Sequence, residues 1–284
     1  MKLNEVLSKS IQFFKDKKIE SARLDAELLI AHALKIERIT LYLKYDQPLS
    51  EAELSLCREY IRRRSIGEPV AYIVQDKGFY GLNFFVEKGV LVPRPETEMI
   101  VDEVLKFIKF ENIIAPKILD LGVGTGCIGL SILKNSQAAH LVAVEKSDIA
   151  QNIFLKNAEA LGLLNRVTLI KSDVESVDFS KLGEFDCIVS NPPYIDRNDL
   201  RVQKSVRDFE PAMALFAEDR GLALLKSWSE KTKLNLTKNA LMIFEMGSDQ
   251  GPEMLQHIQA LLAFKNISIL KDLSGLDRFI RAVR

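Results

Sequence analysis

Three cysteines and three histidines are all that this 284-residue chain holds of the strongest metal-binding side chains. Cys57, Cys127 and Cys187 lie far apart and fit no paired-thiolate spacing, and His32, His140 and His257 are equally scattered. That argues against a zinc site and against a histidine-based catalytic triad, so no metal is expected. The thiols read as reduced residues of a cytoplasmic protein, with Cys127 and Cys187 expected in the core. Charge of one sign is missing too: 39 Lys and Arg balance 39 Asp and Glu. No strong global field therefore draws the chain toward nucleic acid or anionic lipid. No apolar run approaches the ~20 residues of a membrane helix. The opening stretch "MKLNEVLSKSIQFFKDKK" reads as an amphipathic helix rather than a targeting segment. Repeats and low-complexity tracts are absent. What remains, 47% hydrophobic and 27% charged residues, is ordinary globular composition, enough for one large domain or two.

Residues 1 to 75 carry helical periodicity only. Leu3, Val6, Leu7, Ile11 and Phe14 recur at helical spacing, and Leu24, Leu28, Leu29 and Ala31 continue the pattern after Ser21. Ser50 with Glu53 fits a capping box that opens a helix through Leu54, Cys57 and Ile61. Gly67 to Pro69 break this rhythm. The aromatic, valine-rich stretch that follows predicts a β-hairpin connector over 76–94, centred near Gly81-Leu82-Asn83. Pro95 suits a first helical turn, with Glu96 and Glu98 at its positive end. From 95 to 284 strands and helices alternate. "KILDLG", "HLVAVE", "RVTLIKSD", "FDCIVSN" and "ALMIFEMG" read as strands, with helices over 125–133, 148–161 and about 222–236. That alternation predicts an α/β domain with a mainly parallel sheet covered on both faces. "ISIL" and "RFIRAV" have only seven residues between them, too few for a crossover, and should pair antiparallel as the last two of seven strands.

"DLGVGTGCIG" leaves the first strand of that sheet. Gly122, Gly124 and Gly126 permit a tight turn and close approach of the backbone to a ligand, and the next helix opens with free N–H groups. Glu145 ends the next strand, where a carboxylate can accept from ribose hydroxyls. Asp173 ends the third, where it can accept from an adenine amino group or cap a turn. Gly124, Gly126 and Gly129 also fit the dinucleotide fingerprint, so the glycines alone leave a nicotinamide cofactor and S-adenosylmethionine both open. Asp120, at the loop's approach, leans toward the second, since its charge would repel a pyrophosphate and attract a sulfonium or an amino group.

"SNPPYI" leaves the fourth strand through two prolines. Pro192 and Pro193 fix φ and have no N–H to donate, while their carbonyls stay free to accept. The Asn191 amide oxygen is a further acceptor, and Tyr194 supplies a flat ring. Two rigid acceptors beside a ring describe a receptor for a planar NH2 group.

Together, the D-L-G-x-G-x-G loop and N-P-P-Y resemble class I S-adenosylmethionine-dependent methyltransferases that modify planar amide or amine nitrogens. "GEPVAYIVQDKGFYGLNFFVEKGVLVPRPETE", "SNPPYI", "EPAMALFAEDRGL", "FEMG" and "DLSGLDR" narrow the resemblance to the PrmC/HemK family of protein-(glutamine-N5) methyltransferases, from about residue 65 to the C-terminus. That resemblance implies a Rossmann-like methyltransferase domain over 95–284 and a helical substrate-recognition domain over 1–75. It implies S-adenosylmethionine as cofactor. The substrate it implies is the glutamine of the Gly-Gly-Gln motif in class I peptide chain release factors. By the same resemblance, Gly122, Val123, Gly124, Thr125 and Gly126 line the methionine part of the cofactor, Glu145 its ribose, and Asp173 and Val174 its adenine. Asn191, also beside the cofactor, would hold the substrate amide with Pro192, Pro193 and Tyr194; Asn191, Pro192 and Tyr194 would carry catalysis. The segment Arg94 to Glu98 would fold over the cofactor end of the cleft. Many relatives have Thr at position 123, Asp at 145 and an aromatic or other side chain at 174; the chemistry survives these departures.

Three rivals stand beside this reading. An adenine-N6 methyltransferase of DNA or RNA would use the same corner, but it must neutralise phosphates, and the clearest basic cluster is Arg58 with Arg62, Arg63 and Arg64 on one helix. With zero net charge, stable nucleic-acid binding is not expected. An NAD-dependent oxidoreductase leaves the proline corner without a purpose. A non-catalytic adaptor leaves both the corner and the glycine loop without one.

Overall fold

The computed structural model describes all 284 residues. Contacts divide them into two compact units: Met1–Asp76 with Gln203–Phe209, and Lys77–Val202 with Glu210–Arg284.

The first unit is helical. It holds α1 (Leu3–Asp16), α2 (Ala22–Ala33), α3 (Thr40–Leu43), α4 (Glu51–Ser65) and α5 (Val70–Val74). The Ser50 side chain accepts from the Glu53 N–H, and the Glu53 carboxylate accepts from the Ser50 N–H at 2.8 Å, so α4 opens with the expected capping box. On α1 the expected Leu3, Val6, Leu7 and Phe14 are buried, and Ile11 packs against them half-buried. On α2 the buried stripe is Ala26, Leu29, Ile30 and Ala33, whereas Leu24 and Leu28 face solvent. The basic cluster of α4 is spent on internal pairs: Arg62 on Glu59 at 2.8 Å, Arg63 on Glu68 at 2.5 Å and Arg64 on Asp25 at 2.7 Å.

The second unit opens with a hairpin of β1 (Lys77–Phe79) and β2 (Leu82–Phe84). Its turn is Tyr80-Gly81, not Gly81-Leu82-Asn83, because both turn residues take positive φ (51° and 71°) as a two-residue hairpin loop requires. Phe79 and Phe84 are fully buried and meet edge to face, joining the hairpin to the domain core. A short 3-10 turn over Pro95–Thr97 leads into α6 (Glu98–Phe110).

The sheet strands are β3 (Lys117–Leu121), β4 (His140–Glu145), β5 (Val167–Lys171), β6 (Phe185–Ser190), β7 (Leu236–Glu245), β8 (Asn266–Lys271) and β9 (Asp277–Val283), with spatial order β5-β4-β3-β6-β7-β9-β8. The first five in that order run parallel, and β9 pairs antiparallel with both β7 and β8, as the short connection predicts. α7 (Cys127–Asn135) and α8 (Asp148–Ala160) follow β3 and β4. α9 (Lys204–Phe209) belongs to the first unit; α10 (Ala212–Leu215), α11 (Ala223–Thr232) and α12 (Gly251–Ala260) belong to the second. Leu236, expected to end a helix, starts β7 instead: α11 stops at Thr232, and buried Leu236 pairs with Phe185. Side chains of β3 alternate between two cores, Ile118 toward α6, α7 and α8, and Leu119 and Leu121 toward α11 and α12. This is a seven-stranded class I methyltransferase architecture, with the chain turning to opposite sides of the sheet after β3 and β6. The crevice outside the carboxyl ends of those two strands is where such sheets place ligands.

Candidate active site

The glycine loop is built by backbone geometry that side chains oppose. Gly122, Gly124 and Gly126 all have positive φ (68°, 56° and 83°), and a Cβ on Gly126 would lie 2.6 Å from the Phe154 ring. Gly129 serves packing: a Cβ there would lie 2.6 Å from Leu141, so it is what lets α7 settle on β4. Beneath the loop, Asp120 accepts from the Gly129 N–H at 3.1 Å. It is 1% exposed, and burial pushes its carboxyl up to about 8. Asp120 does not line the cleft; the expectation that it faces a ligand is overturned by its turn inward to α7.

Glu145, at the end of β4, holds the loop from outside. Its Oε2 accepts from the Gly124 N–H at 3.0 Å and its Oε1 from the Ser147 N–H at 2.9 Å. A carboxylate has about four lone-pair positions, so two remain for a ligand. The N–H that a pyrophosphate would seek is already taken by a carboxylate. Asp173 accepts from the Glu175 N–H at 3.0 Å and pairs with Lys146 at 3.2 Å. Burial works against its charge, but these two donors outweigh it and hold the carboxyl below the usual range.

One cleft of the second unit gathers Gly122, Val123, Gly124, Thr125, Glu145, Asp173, Val174, Asn191 and Pro193. Three expected site residues stand outside its lining. Gly126 is sealed under Phe154 and Leu130. Pro192 is buried between its neighbours. Tyr194 packs against the α11–α12 core and borders a second cavity with Arg220 and Arg278. Cys127, expected in the core, packs against it half-buried and also lines the cleft, and burial lifts its thiol to about 12.

The proline corner is held by residues distant in sequence. Asn191 Nδ2 donates to Thr97 Oγ1 at 3.2 Å, and no protein group donates to its Oδ1. Thr97 donates to Glu245 Oε2 at 2.6 Å, and the Tyr194 hydroxyl donates to Glu245 Oε1 at 2.9 Å. The Tyr194 carbonyl accepts from Gln250 Nε2 at 2.8 Å. Glu210 takes the Val92 N–H at 3.1 Å and the Arg94 guanidinium at 2.5 Å, fixing the segment that enters the 3-10 turn. Thr97, Glu210, Glu245 and Gln250 were not singled out from the sequence. Their only signal was membership in "PRPETE", "EPAMALFAEDRGL" and "FEMG", or, for Gln250, none.

The chain resembles known proteins over nearly its whole length. A family model for the PrmC N-terminal domain matches residues 5–74, and one for the methyltransferase small domain matches 103–225. A release factor glutamine methyltransferase of Chlorobaculum tepidum is 35% identical, over 96% of this chain and 94% of the relative. The chain belongs to the release factor glutamine methyltransferase family. The family's protein from Leptospira interrogans is 37% identical, over 98% of this chain and 97% of its own. Among solved structures, the N-terminal domain of human METTL16 in complex with SAH superposes with a TM-score of 0.53 at 16% identity, covering 72% of this chain and 76% of that one. At that identity the likeness extends to the fold alone. No helix is long and apolar enough to cross a membrane.

Proposed function

We propose that the chain transfers a methyl group from S-adenosylmethionine to the side-chain amide nitrogen of the glutamine in the Gly-Gly-Gln motif of class I peptide chain release factors. One observation carries this reading: Asn191 stands in the same cleft as the glycine loop with its amide nitrogen engaged and its amide oxygen free to accept. Family membership supports a release factor glutamine as acceptor, since the relatives are named release factor glutamine methyltransferases.

The cleft suits the cofactor. Val174 and Leu224 offer apolar wall, Asp173 and Glu145 offer acceptors, and Gly122 and Gly124 leave backbone exposed. Gly122 through Thr125 would hold the methionine part, Glu145 the ribose, and Asp173 and Val174 the adenine. S-adenosylmethionine, when bound, supplies an electrophilic methyl group on a sulfonium centre.

The residues of the corner handle the other reactant. An amide nitrogen is a poor nucleophile because its lone pair is delocalised into the carbonyl. Asn191 Oδ1 and the Pro192 carbonyl accept its two hydrogens and hold its plane; no backbone N–H donates to that carbonyl within the chain. The positive charge that methyl transfer would build on the nitrogen would strengthen the hydrogen bonds to both acceptors. They therefore favour the transition state over the ground state. Asn191, Pro192, Pro193 and Tyr194 include no general base, so the proton leaves to solvent after transfer. Tyr194 acts by holding the corner against Glu245. The helical unit, with its PrmC N-terminal match, presents surface for the protein substrate, which works where translation ends.

The test is a choice of acceptor. Release factor and adenine-containing oligonucleotides are offered together with labelled S-adenosylmethionine. Label on the release factor supports the reading; label on the oligonucleotide alone assigns the same corner to a nucleic-acid amine. The internal pairing of Arg62, Arg63 and Arg64 speaks against that second outcome.

A further inference from the structure

We propose that Thr97 and Glu245 are positioning residues that decide which end of the Asn191 side-chain amide faces the substrate; the kinetic consequence rests on the substrate reading above. An asparagine amide is nearly symmetrical in shape, so packing alone does not distinguish its oxygen from its nitrogen. The two orientations are opposites chemically. With oxygen toward the cleft, Asn191 receives a planar NH2 group. With nitrogen toward the cleft, donor meets donor and the NH2 group is refused.

The decision is made two groups from Asn191, at Glu245 through Thr97. Glu245 ends β7, one residue beyond the Ser190–Phe244 register pair of β6 and β7, so it lies beside the start of the corner. It is 1% exposed. Its carboxylate only accepts. The Thr97 hydroxyl has one hydrogen and gives it to Glu245 Oε2 at 2.6 Å. Toward Asn191 the hydroxyl has only lone pairs left, so the group it meets at 3.2 Å must be the donor, Nδ2. The amide oxygen is thereby turned to the cleft. The second carboxylate oxygen takes the Tyr194 hydroxyl at 2.9 Å, so one buried group fixes both ends of the Asn-Pro-Pro-Tyr corner. Burial pushes the Glu245 carboxyl up, while the hydroxyls of Thr97 and Tyr194 and the nearby Arg278 guanidinium favour its charged, accepting form.

Glu245→Gln keeps the shape and removes the decision, because a glutamine can offer NH2 to Thr97 and so let the hydroxyl donate to Asn191. Thr97→Val keeps the volume and removes the link. Thr97→Ser keeps the link. The experiment measures steady-state kinetics of the full chain and these variants with S-adenosylmethionine and unmethylated release factor. Alongside, the solvent exchange of the Asn191 side-chain amide protons is followed by NMR without substrate, their signals identified by their loss in Asn191→Asp. Glu245→Gln and Thr97→Val are expected to lose on the order of 10²-fold in kcat, with S-adenosylmethionine affinity little changed, and Thr97→Ser to recover most of it. The amide protons should exchange slowly in the wild type and Thr97→Ser and fast in Thr97→Val. Wild-type kcat in Thr97→Val, or exchange indifferent to it, would overturn the inference. A wild-type chain that leaves the release factor unmethylated would sink the substrate reading instead, and the exchange comparison, which needs no substrate, would still decide the orientation.

Discussion

The Tyr194 carbonyl oxygen occupies the space where a side chain on Gly221 would begin: a Cβ there would lie 2.0 Å from it. Gly221 has φ +87°, and Gln250 Nε2 bridges the carbonyls of Tyr194 and Arg220 at 2.8 and 3.0 Å. The backbone that leaves the double proline is thus clamped by a loop some two dozen residues downstream. Gly221→Ala should displace the corner and cost about 1–3 kcal/mol of stability through its strained backbone. Because the glycine loop lies after a different strand, kcat should fall much more than S-adenosylmethionine affinity. Calorimetric binding beside single-turnover rates checks the split, and loss of binding with an unchanged rate would place the disturbance elsewhere.

Glu145→Ala should act in the opposite sense. It removes the acceptor for the Gly124 and Ser147 N–H groups and the lone pairs left for a ribose. Charged hydrogen bonds of this kind contribute about 1.5–3 kcal/mol each, so S-adenosylmethionine affinity should weaken by tenfold or more. Titration calorimetry reads the change directly. Unaltered affinity would mean that Glu145 only shapes the loop.

Asp120 gives a pH signature. Burial lifts its folded-state pKa to about 8, above the ordinary 3.8. Between those values the folded chain binds a proton that the unfolded chain has lost, so this group's contribution to stability declines as pH rises from about 4 to about 8. Asp120→Asn has nothing to ionise and should lack that decline, gaining on the wild type most at the alkaline end. Urea unfolding of both proteins at roughly pH 5 and pH 8 tests the sign, and parallel curves would contradict it.

Much of the fold could be read from the chain because the signals were local. Ser50 and Glu53 are three residues apart and form the capping box they spell. The five residues between β8 and β9 leave no choice but antiparallel pairing. Gly122 and Asn191 fall at the ends of adjacent strands, so two separate motifs converge without further information. What escaped was set by distance or by conformation. Nothing near Thr97 announces that it meets Asn191 ninety-four positions away. Tyr80 accepts a left-handed φ that an aromatic residue seldom takes, which moved the hairpin turn by one position. Asp120 and Glu145 are both carboxylates at strand ends beside the same loop, yet one faces inward and the other the cleft. Only the pleat of the strand and the docking of α7 separate them.

The proposed chemistry depends on Asn191 presenting an acceptor to a glutamine amide. Its most direct test is a peptide map of unmethylated release factor after incubation with the chain and S-adenosylmethionine, read by fragment mass spectrometry at the Gly-Gly-Gln motif. One added methyl is expected on the glutamine side chain, formed by the wild type and slowed in Asn191→Ala by on the order of 2.7–4 kcal/mol of activation free energy. A methyl on any other residue, or an Asn191→Ala variant that works as fast as the wild type, would contradict it.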